Sequence, residues 1–281
     1  MDAVAVCTET PKLQRATGEL LIRLKRRGAG SGIEDLRQAG CLKARFPRHA
    51  ADGWTEVVVL NTSGGVVGGD ELLAEVHLGP AARAVIATQA AERCYRALQG
   101  SDPATIRASI HVTAGACAEW LPQETILFDR CSVDRTLDVE LAHDARFLGL
   151  EMLVFGRAAM GEQVTRARLR DAIRIRRGGR WLLHEAVRLD GDVQAAMRRP
   201  AVAGGAHALA TLVHVAPDAE AKIDDVRAAF AGAPVEAGAS AWNGMLLVRM
   251  LAPDAAALRR AAVAVLSVLR APRPLPRVWL C

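Results

Sequence analysis

Leu78-Gly79-Pro80-Ala81-Ala82-Arg83-Ala84-Val85-Ile86-Ala87-Thr88-Gln89 reads as the end of one strand, a tight turn and a second strand. Gly79-Pro80 is the turn signal. A small residue follows it, then an apolar run rich in β-branched side chains. The same text returns twice. "VTAGACAEWLPQ" spans residues 112–123 and "ELAHDARFLGLE" spans residues 140–151. Each holds a strand, a turn with Gly or Asp, a small residue and an apolar strand. Echoes at intervals near 30 residues point to stacked layers of β-structure.

The surrounding text agrees. Glu71 to Leu78, Thr105 to Val112, Thr125 to Phe128, Thr136 to Leu141 and Arg146 to Phe155 are short alternating or apolar runs. Asp102-Pro103, Ala114-Gly115, His143-Asp144 and Gly156 punctuate them. Leu169 to Arg176 alternates, Gly178-Gly179 turns it, and Trp181 to Leu189 returns as the second arm of a hairpin. Upstream, Gly18 to Lys25 reads as a strand and Gly28 to Gly32 as a flexible turn. Residues 1–16 read as a loose, polar start. Gly191 to Gly205 loses periodicity and reads as a connection. From Ala206 the text turns alanine-rich. It promises a strand at His207 to Val215, a helix from Pro217 to Ala231, one or two strands within Ala239 to Leu251, and a helix from Pro253-Asp254 to Arg270. In that last helix Leu258, Ala262, Val265, Leu266 and Leu269 share one face. The proline-rich tail, 272–281, is not expected to be helical. The expected architecture is mainly β, with stacked sheets and a small α/β C-terminal portion carrying two helices. It divides into the loose start, a β body over 17–205, and 206–281.

Between two of these runs lies Leu60-Asn61-Thr62-Ser63-Gly64-Gly65-Val66-Val67-Gly68-Gly69-Asp70. Glycine pairs permit positive φ or a close backbone approach. The pairs Gly64-Gly65 and Gly68-Gly69 therefore suggest a shaped turn that holds Asp70 at a fixed place. The pattern is neither a Walker A loop nor a dinucleotide fingerprint, because the Lys-Ser/Thr and the G-x-G-x-x-G spacing are both missing.

Composition narrows the function classes. In 281 residues, 51% are hydrophobic and 24% charged, with a formal net charge of +5. Basic residues are scattered among acids, and a single Tyr leaves no aromatic-basic interleaving for stacking bases. A nucleic-acid partner is not expected. No apolar run approaches the roughly 20 residues of a membrane span, and no signal segment is visible at Met1 to Thr10, so a cytoplasmic location is expected. The six cysteines form no C-x-x-C pair and read as reduced thiols.

Enzyme signatures are absent: there is no G-x-S-x-G elbow and no H-E-x-x-H. His77, His111 and His143 fall at strand ends or turns, without a readable third member of a triad. A hydrolase built on Ser63, His111 and an acid remains an alternative. The carboxylates are more informative. Glu151 interrupts the apolar run Phe147 to Phe155, and Glu185 interrupts Trp181 to Val187. Glu119 precedes Trp120-Leu121. An acid in a strand otherwise fit for burial needs a partner or water. These acids sit either on a wet face of the sheet or along a wet internal path with labile ligands for a divalent ion.

Five ordered blocks carry a resemblance. "LNTSGGVVGGDELLAEVHLGPAARAVIATQAAERCYRA" (60–97), "AEWLPQETILFDRC" (118–131), "ARFLGLEMLVFGRAAMGE" (145–162), "RWLLHEAVRLDG" (180–191) and the terminal "LPRVWL" (275–280) resemble the urease accessory protein D family, also called UreD or UreH. The resemblance covers nearly the whole chain. It implies a partly β-helical body and a non-catalytic role. It implies binding to apo-urease and to UreF, with UreG, the GTPase of that system, reached through UreF in a dimeric accessory complex. It also implies help in placing nickel in urease, through an internal water-filled tunnel, with no tightly bound cofactor. Carried over by position, Asp70, Glu151 and Glu185 are the tunnel candidates. Glu92 stands where the family commonly has a small polar residue, and would add an acid to that path. Gly161-Glu162 is followed here by Gln163-Val164, without the family's frequent His-Gly. Cys94 reads as a buried thiol or a nickel ligand.

Overall fold

In the computed structural model, residues 14–47, 53–157 and 160–280 are described. Most of the loose start, together with Cys7, His49 and Cys281, lies outside them. The chain opens with a hairpin of β1 (Thr17–Arg27) and β2 (Gly30–Gly40), followed by β3 (Leu42–Arg45) and β4 (Thr55–Asn61). Then the repeating text takes over. β5 (Glu71–Leu78) leads to β6 (Arg83–Thr88) and the short β7 (Glu92–Cys94). β8 (Ala104–Val112) leads to β9 (Cys117–Leu121) and the short β10 (Thr125–Leu127). β11 (Ser132–Leu141) leads to β12 (Arg146–Phe155).

Each echo is one passage from the first sheet to the second. β5, β8 and β11 pair in parallel, as do β6, β9 and β12, and even β7 and β10 pair in parallel. The chain therefore winds as a β-helix-like coil. Its turns carry the Gly79, Gly115 and Asp144 signals because the chain must bend sharply between sheets.

After the coil, β13 (Arg166–Arg177) and β14 (Arg180–Asp192) form the expected hairpin, with Gly178 and Gly179 both at positive φ. α1 (Val193–Arg198) follows, then β15 (Ala208–Val215), α2 (Ile223–Phe230), β16 (Glu236–Trp242), β17 (Met245–Ala252) and α3 (Ala255–Arg270). The first sheet runs β14-β13-β11-β8-β5-β1-β2. The second runs β16-β17-β15-β12-β9-β6-β4-β3, with β7 and β10 beside it. The alanine-rich portion thus extends the second sheet by three antiparallel strands.

Two cores result. One fills the space between the sheets and holds Ile22, Ile110, Val139, Phe147 and Leu153. The other lies between the second sheet and helices α2 and α3, and holds Leu148, Leu150, Leu212, Leu258 and Val265. β12 is buried on both faces, which is why Phe147 to Phe155 reads as a continuous apolar run. Its odd positions face the first sheet and its even positions face the helices. Glu151 is odd, so its carboxylate sits between the sheets.

The structure corrects several expectations. Gly28 to Gly32 is not all turn: β2 begins at Gly30 and runs through a glycine-containing, half-exposed edge stretch with no clean alternation. The connection 191–205 contains α1, whose start is capped by Asp192 accepting from the Ala195 amide at 2.8 Å. Among the described residues the C-terminal portion carries the two expected α-helices, α2 and α3, and α1 is an addition ahead of it. The helix expected from Pro217 begins as a 3-10 turn at Glu220–Lys222 before α2. The tail does contain a helical turn, Arg277–Trp279, with Pro276 just ahead of it, where a missing N–H is harmless.

Candidate functional site

The glycine stretch shapes one wall of an interior cavity. Val66 donates its amide to Arg93 O, and Tyr95 donates to Val66 O, both at 2.8 Å, so the turn lies against β7. Gly65 has φ of 137°, and a Cβ there would meet Tyr95 Cε2 at 2.5 Å and Arg93 O at 2.7 Å. Only glycine allows that approach. Asp70 closes the turn from behind. Its Oδ1 accepts from the Ala16 amide and its Oδ2 from the Val67 amide, each at 2.8 Å. The carboxylate is buried and both of its oxygens are engaged by backbone. Asp70 does not line the cavity; Gly64 and Gly65 do.

The cavity, of about 380 Å³, runs between the sheets from Asn61, Gly64, Gly65 and Glu92 inward to Trp120, Thr125, Arg135 and Glu151. Apolar walls come from Leu42, Leu72 and Ile106. Glu92 is half-buried at the glycine end. Asn61 Nδ2 donates to both of its oxygens, at 3.3 and 3.1 Å. Burial raises its pKa against the pull of these hydrogen bonds.

At the inner end stands a buried ionic cluster. Arg135 Nε and Nη2 donate to the two oxygens of Asp171, at 2.8 and 2.7 Å. Its Nη1 donates to Thr125 Oγ1 at 2.8 Å and lies 2.7 Å from Glu151 Oε2. Trp120 Nε1 donates to the other Glu151 oxygen at 2.8 Å. Burial works against the Arg135 charge, but Asp171 and Glu151 outweigh it and hold its pKa above the ordinary value. Burial raises the Glu151 pKa; Arg135 opposes that rise and Asp171 adds to it. Parallel register explains the cluster: Arg135 faces Asp171 across β11 and β13.

Glu185 lies beyond this cluster. It sits on β14, opposite Ile173, and reaches across to the second sheet. Thr211 Oγ1 donates to its Oε1 at 3.2 Å, and Arg249 Nε and Nη2 donate to its two oxygens at 2.9 and 2.7 Å. Glu151, Thr211 and Arg249 are register neighbours across β12, β15 and β17. The inter-sheet space therefore carries a polar line: Glu92 at one end, Arg135, Glu151 and Asp171 in the middle, and Thr211, Glu185 and the largely exposed Arg249 at the other. The cavity reaches the middle group and stops there.

Similarity to known proteins decides the family. A family model described as UreD urease accessory protein matches residues 16–280. The chain belongs to the UreD urease accessory protein family. It is 46% identical over 270 residues to the urease accessory protein UreD of Azorhizobium caulinodans, covering 96% of this chain and 98% of that one. It is 45% identical over 279 residues to the UreD of Xanthobacter autotrophicus, covering 99% and 94%. It is 48% identical over 275 residues to UreD 2 of Methylorubrum populi, covering 96% and 92%.

Three blocks that carry the UreD resemblance meet in space. The glycine stretch and "QAAERCYRA" build the open end of the cavity. The "AEWLPQ" block supplies Trp120 to the cavity and docks the tail on its other side. Glu119 is buried and paired with Arg270 at 2.9 Å and with Arg273. Trp279 Nε1 donates to Leu121 O at 3.0 Å, Gln123 Nε2 donates to Val278 O at 2.9 Å, and Arg259 binds both Gln123 and the Trp279 carbonyl. The tail block "LPRVWL" is thus stapled beneath the cavity wall.

Asp171 and Arg135 escaped the sequence reading. Each falls in the apolar phase of its own strand, Asp171 with Leu169 and Ile173 and Arg135 with Val133 and Leu137, and the pairing of β11 with β13 sets the two side by side. Cys94 is a buried thiol whose pKa is pushed well up by burial, which suits an inert core cysteine. Ser63 and His111 are not brought together: Ser63 Oγ bonds Asn61 and Gly65 beside the cavity, whereas His111 lies on the outer face of the first sheet. Among the described residues, no helix is long and apolar enough to cross a membrane.

Proposed function

We propose that this protein is a non-catalytic helper of urease maturation that takes nickel as cargo and passes it between its two sheets. UreF docks it, UreG acts through UreF within a dimeric complex, and apo-urease receives the ion. The observation that carries this reading is the internal polar line from Glu92 past Glu151 to Glu185. Oxygen donors of this kind hold a divalent ion with modest strength, which suits transit better than storage. A cation entering at Glu92 meets a carboxyl whose pKa burial raises, so protonation competes with cation binding there. Asp70 takes no cargo in this scheme; it holds the turn that forms the entry. The test is Glu92→Gln combined with Glu185→Gln, coexpressed with urease and its accessory proteins. Expected are unchanged retention of UreF in a pull-down and a several-fold drop in nickel per urease. Full nickel content in urease matured by that variant sinks the passage.

One observation favours a second reading. Arg135 places a buried positive charge at the inner end of the cavity, already matched to Asp171 and Glu151. A metal ion must displace the guanidinium to use those carboxylates. In the alternative the cluster is structural, and the protein is a bridge that opens urease while nickel travels elsewhere. Substitutions along the polar line are then silent in nickel content, so the same experiment separates the two.

A further inference from the structure

The outer face of the first sheet carries a cluster that has no part in the cavity. Parallel strands in register set matching side chains one above the other, about 4.8 Å apart. β5 reads Glu75-Val76-His77 and β8 reads Ser109-Ile110-His111, and register pairs Glu75 with Ser109 and His77 with His111. Val76 and Ile110 are buried. The four polar residues therefore share the opposite face. The two imidazoles stack, with centroids 4.5 Å apart and planes 9° from parallel. His77 Nε2 is hydrogen-bonded to a Glu75 carboxylate oxygen, and Ser109 Oγ lies 3.1 Å from His111 Nε2. One ligand atom each from Glu75, His77 and His111 lies within 4.8 Å of the others.

That donor set has a chemical preference. Two imidazole nitrogens and one carboxylate oxygen suit borderline ions such as zinc, nickel, cobalt or copper. Calcium and magnesium prefer oxygen throughout. Metal–ligand distances near 2.1 Å put tetrahedral neighbours roughly 3.4 Å apart. From separations of up to 4.8 Å the donors need to close by at most about 1.4 Å, which side-chain rotation on an open face supplies. Register neighbours qualify the field: Arg23 lies beside His77, and Glu140, paired with Arg176, lies beside His111. Glu140 and Arg176 offset each other and Arg23 opposes a cation, so the charge that draws one rests on Glu75 alone.

We propose that Glu75, His77 and His111 form a surface site for one divalent first-row transition ion, with a coordination position left open to water or a donor from a docking protein. Three protein ligands and an open position make an exchanging site rather than a structural one. It is separate from the inter-sheet passage and does not depend on it.

The test is titration of the full chain with Co²⁺, read by visible d–d absorption, and with Zn²⁺ by calorimetry. Expected is loss of one equivalent in the His77→Ala, His111→Ala double variant, with that equivalent retained in the cavity variant Glu151→Gln. The proposal is overturned if the wild-type chain takes up neither ion at millimolar concentration, or if the double variant binds as many equivalents as wild type. A second measurement needs no variant. Diethyl pyrocarbonate labelling, mapped by mass spectrometry, is expected to slow at His77 and His111 when Zn²⁺ is present. Equal labelling with and without Zn²⁺ overturns the site even if the double variant does not fold.

Discussion

Arg135 and Asp171 face each other across β11 and β13 in a two-bonded pair, at 2.8 and 2.7 Å, with both side chains buried. Arg135 also serves Glu151 and Thr125, so one guanidinium faces two buried carboxylates in the middle of the inter-sheet space. Removing one member of a buried ion cluster leaves an unmatched charge, which costs about 3–5 kcal/mol. Arg135→Met is expected to lower stability by that amount in urea unfolding. Adding Asp171→Asn removes one orphaned carboxylate, so the double variant should recover about 1 kcal/mol or more relative to the sum of the single changes. Strict additivity would show that the pair is not coupled.

The glycine turn makes a sharper contrast. Gly64 and Gly65 both have positive φ, yet a Cβ at Gly64 meets nothing within 4 Å, whereas at Gly65 it collides with Tyr95 and the Arg93 carbonyl. Gly64→Ala should cost about 1 kcal/mol, from backbone conformation alone. Gly65→Ala should cost about 2–3 kcal/mol, because the strain is joined by displacement of β7. It should also disturb Glu92 at the cavity entry. Equal unfolding midpoints for the two variants would remove close approach as the reason for Gly65. Asp70→Ala leaves the Ala16 and Val67 amides without their acceptor, at about 1–3 kcal/mol.

Much of this architecture was legible in local text. The three echoes each encode a sheet-to-sheet passage, and turn residues mark every corner. β12 was legible as buried because its apolar run is unbroken. What local text does not hold is lateral pairing. Asp171 shares the apolar phase of β13 with Leu169 and Ile173, but nothing in its own strand tells that Arg135 stands beside it. The same holds for Glu185, whose partners Thr211 and Arg249 arrive from a later segment that joins the other sheet. Asp70 was legible as fixed in place, but not its role: which atoms a carboxylate meets depends on where Ala16 returns. α1 was missed because six residues hold too few turns to display a period.

Glu119 links the second sheet to the tail. It is buried, paired with Arg270 and Arg273, while Arg273 also lies over the Trp54 ring at 3.6 Å. Glu119→Gln keeps the shape and removes the charge. Arg270, buried on α3, then lacks its counter-ion, and a loss of about 3–5 kcal/mol is expected. The tail should loosen first, because Glu119 holds both Arg273 of the tail and Arg270, which in turn donates to the Pro274 carbonyl. Limited trypsin digestion reads this directly: cleavage after Arg270, which precedes Ala271, and after Arg277, which precedes Val278, should quicken relative to sites in the β coil. Unchanged cleavage at these two sites would show that the tail is held without Glu119.

His214 on β15 makes stability depend on acidity. It is half-buried, and its Nδ1 has no hydrogen-bond partner. Burial pushes its pKa down from 6.5 to about 4; Asp218 opposes the shift, while Arg146 and Lys222 reinforce it. The unfolded chain therefore takes up this proton near pH 6.5, and the folded chain only near pH 4. Between those values the unfolded state binds more protons, so stability falls as pH is lowered through the window and is flat above it. Discounted for partial exposure, the loss approaches about 2 kcal/mol at the acid end. His214→Leu removes the titrating group and fills the same side of the strand as Leu212. Its unfolding midpoint should match or exceed wild type at pH 7.5, and its decline between pH 6.5 and 4.5 should be shallower by about that amount. Parallel declines for the two proteins would assign the acid sensitivity to other groups.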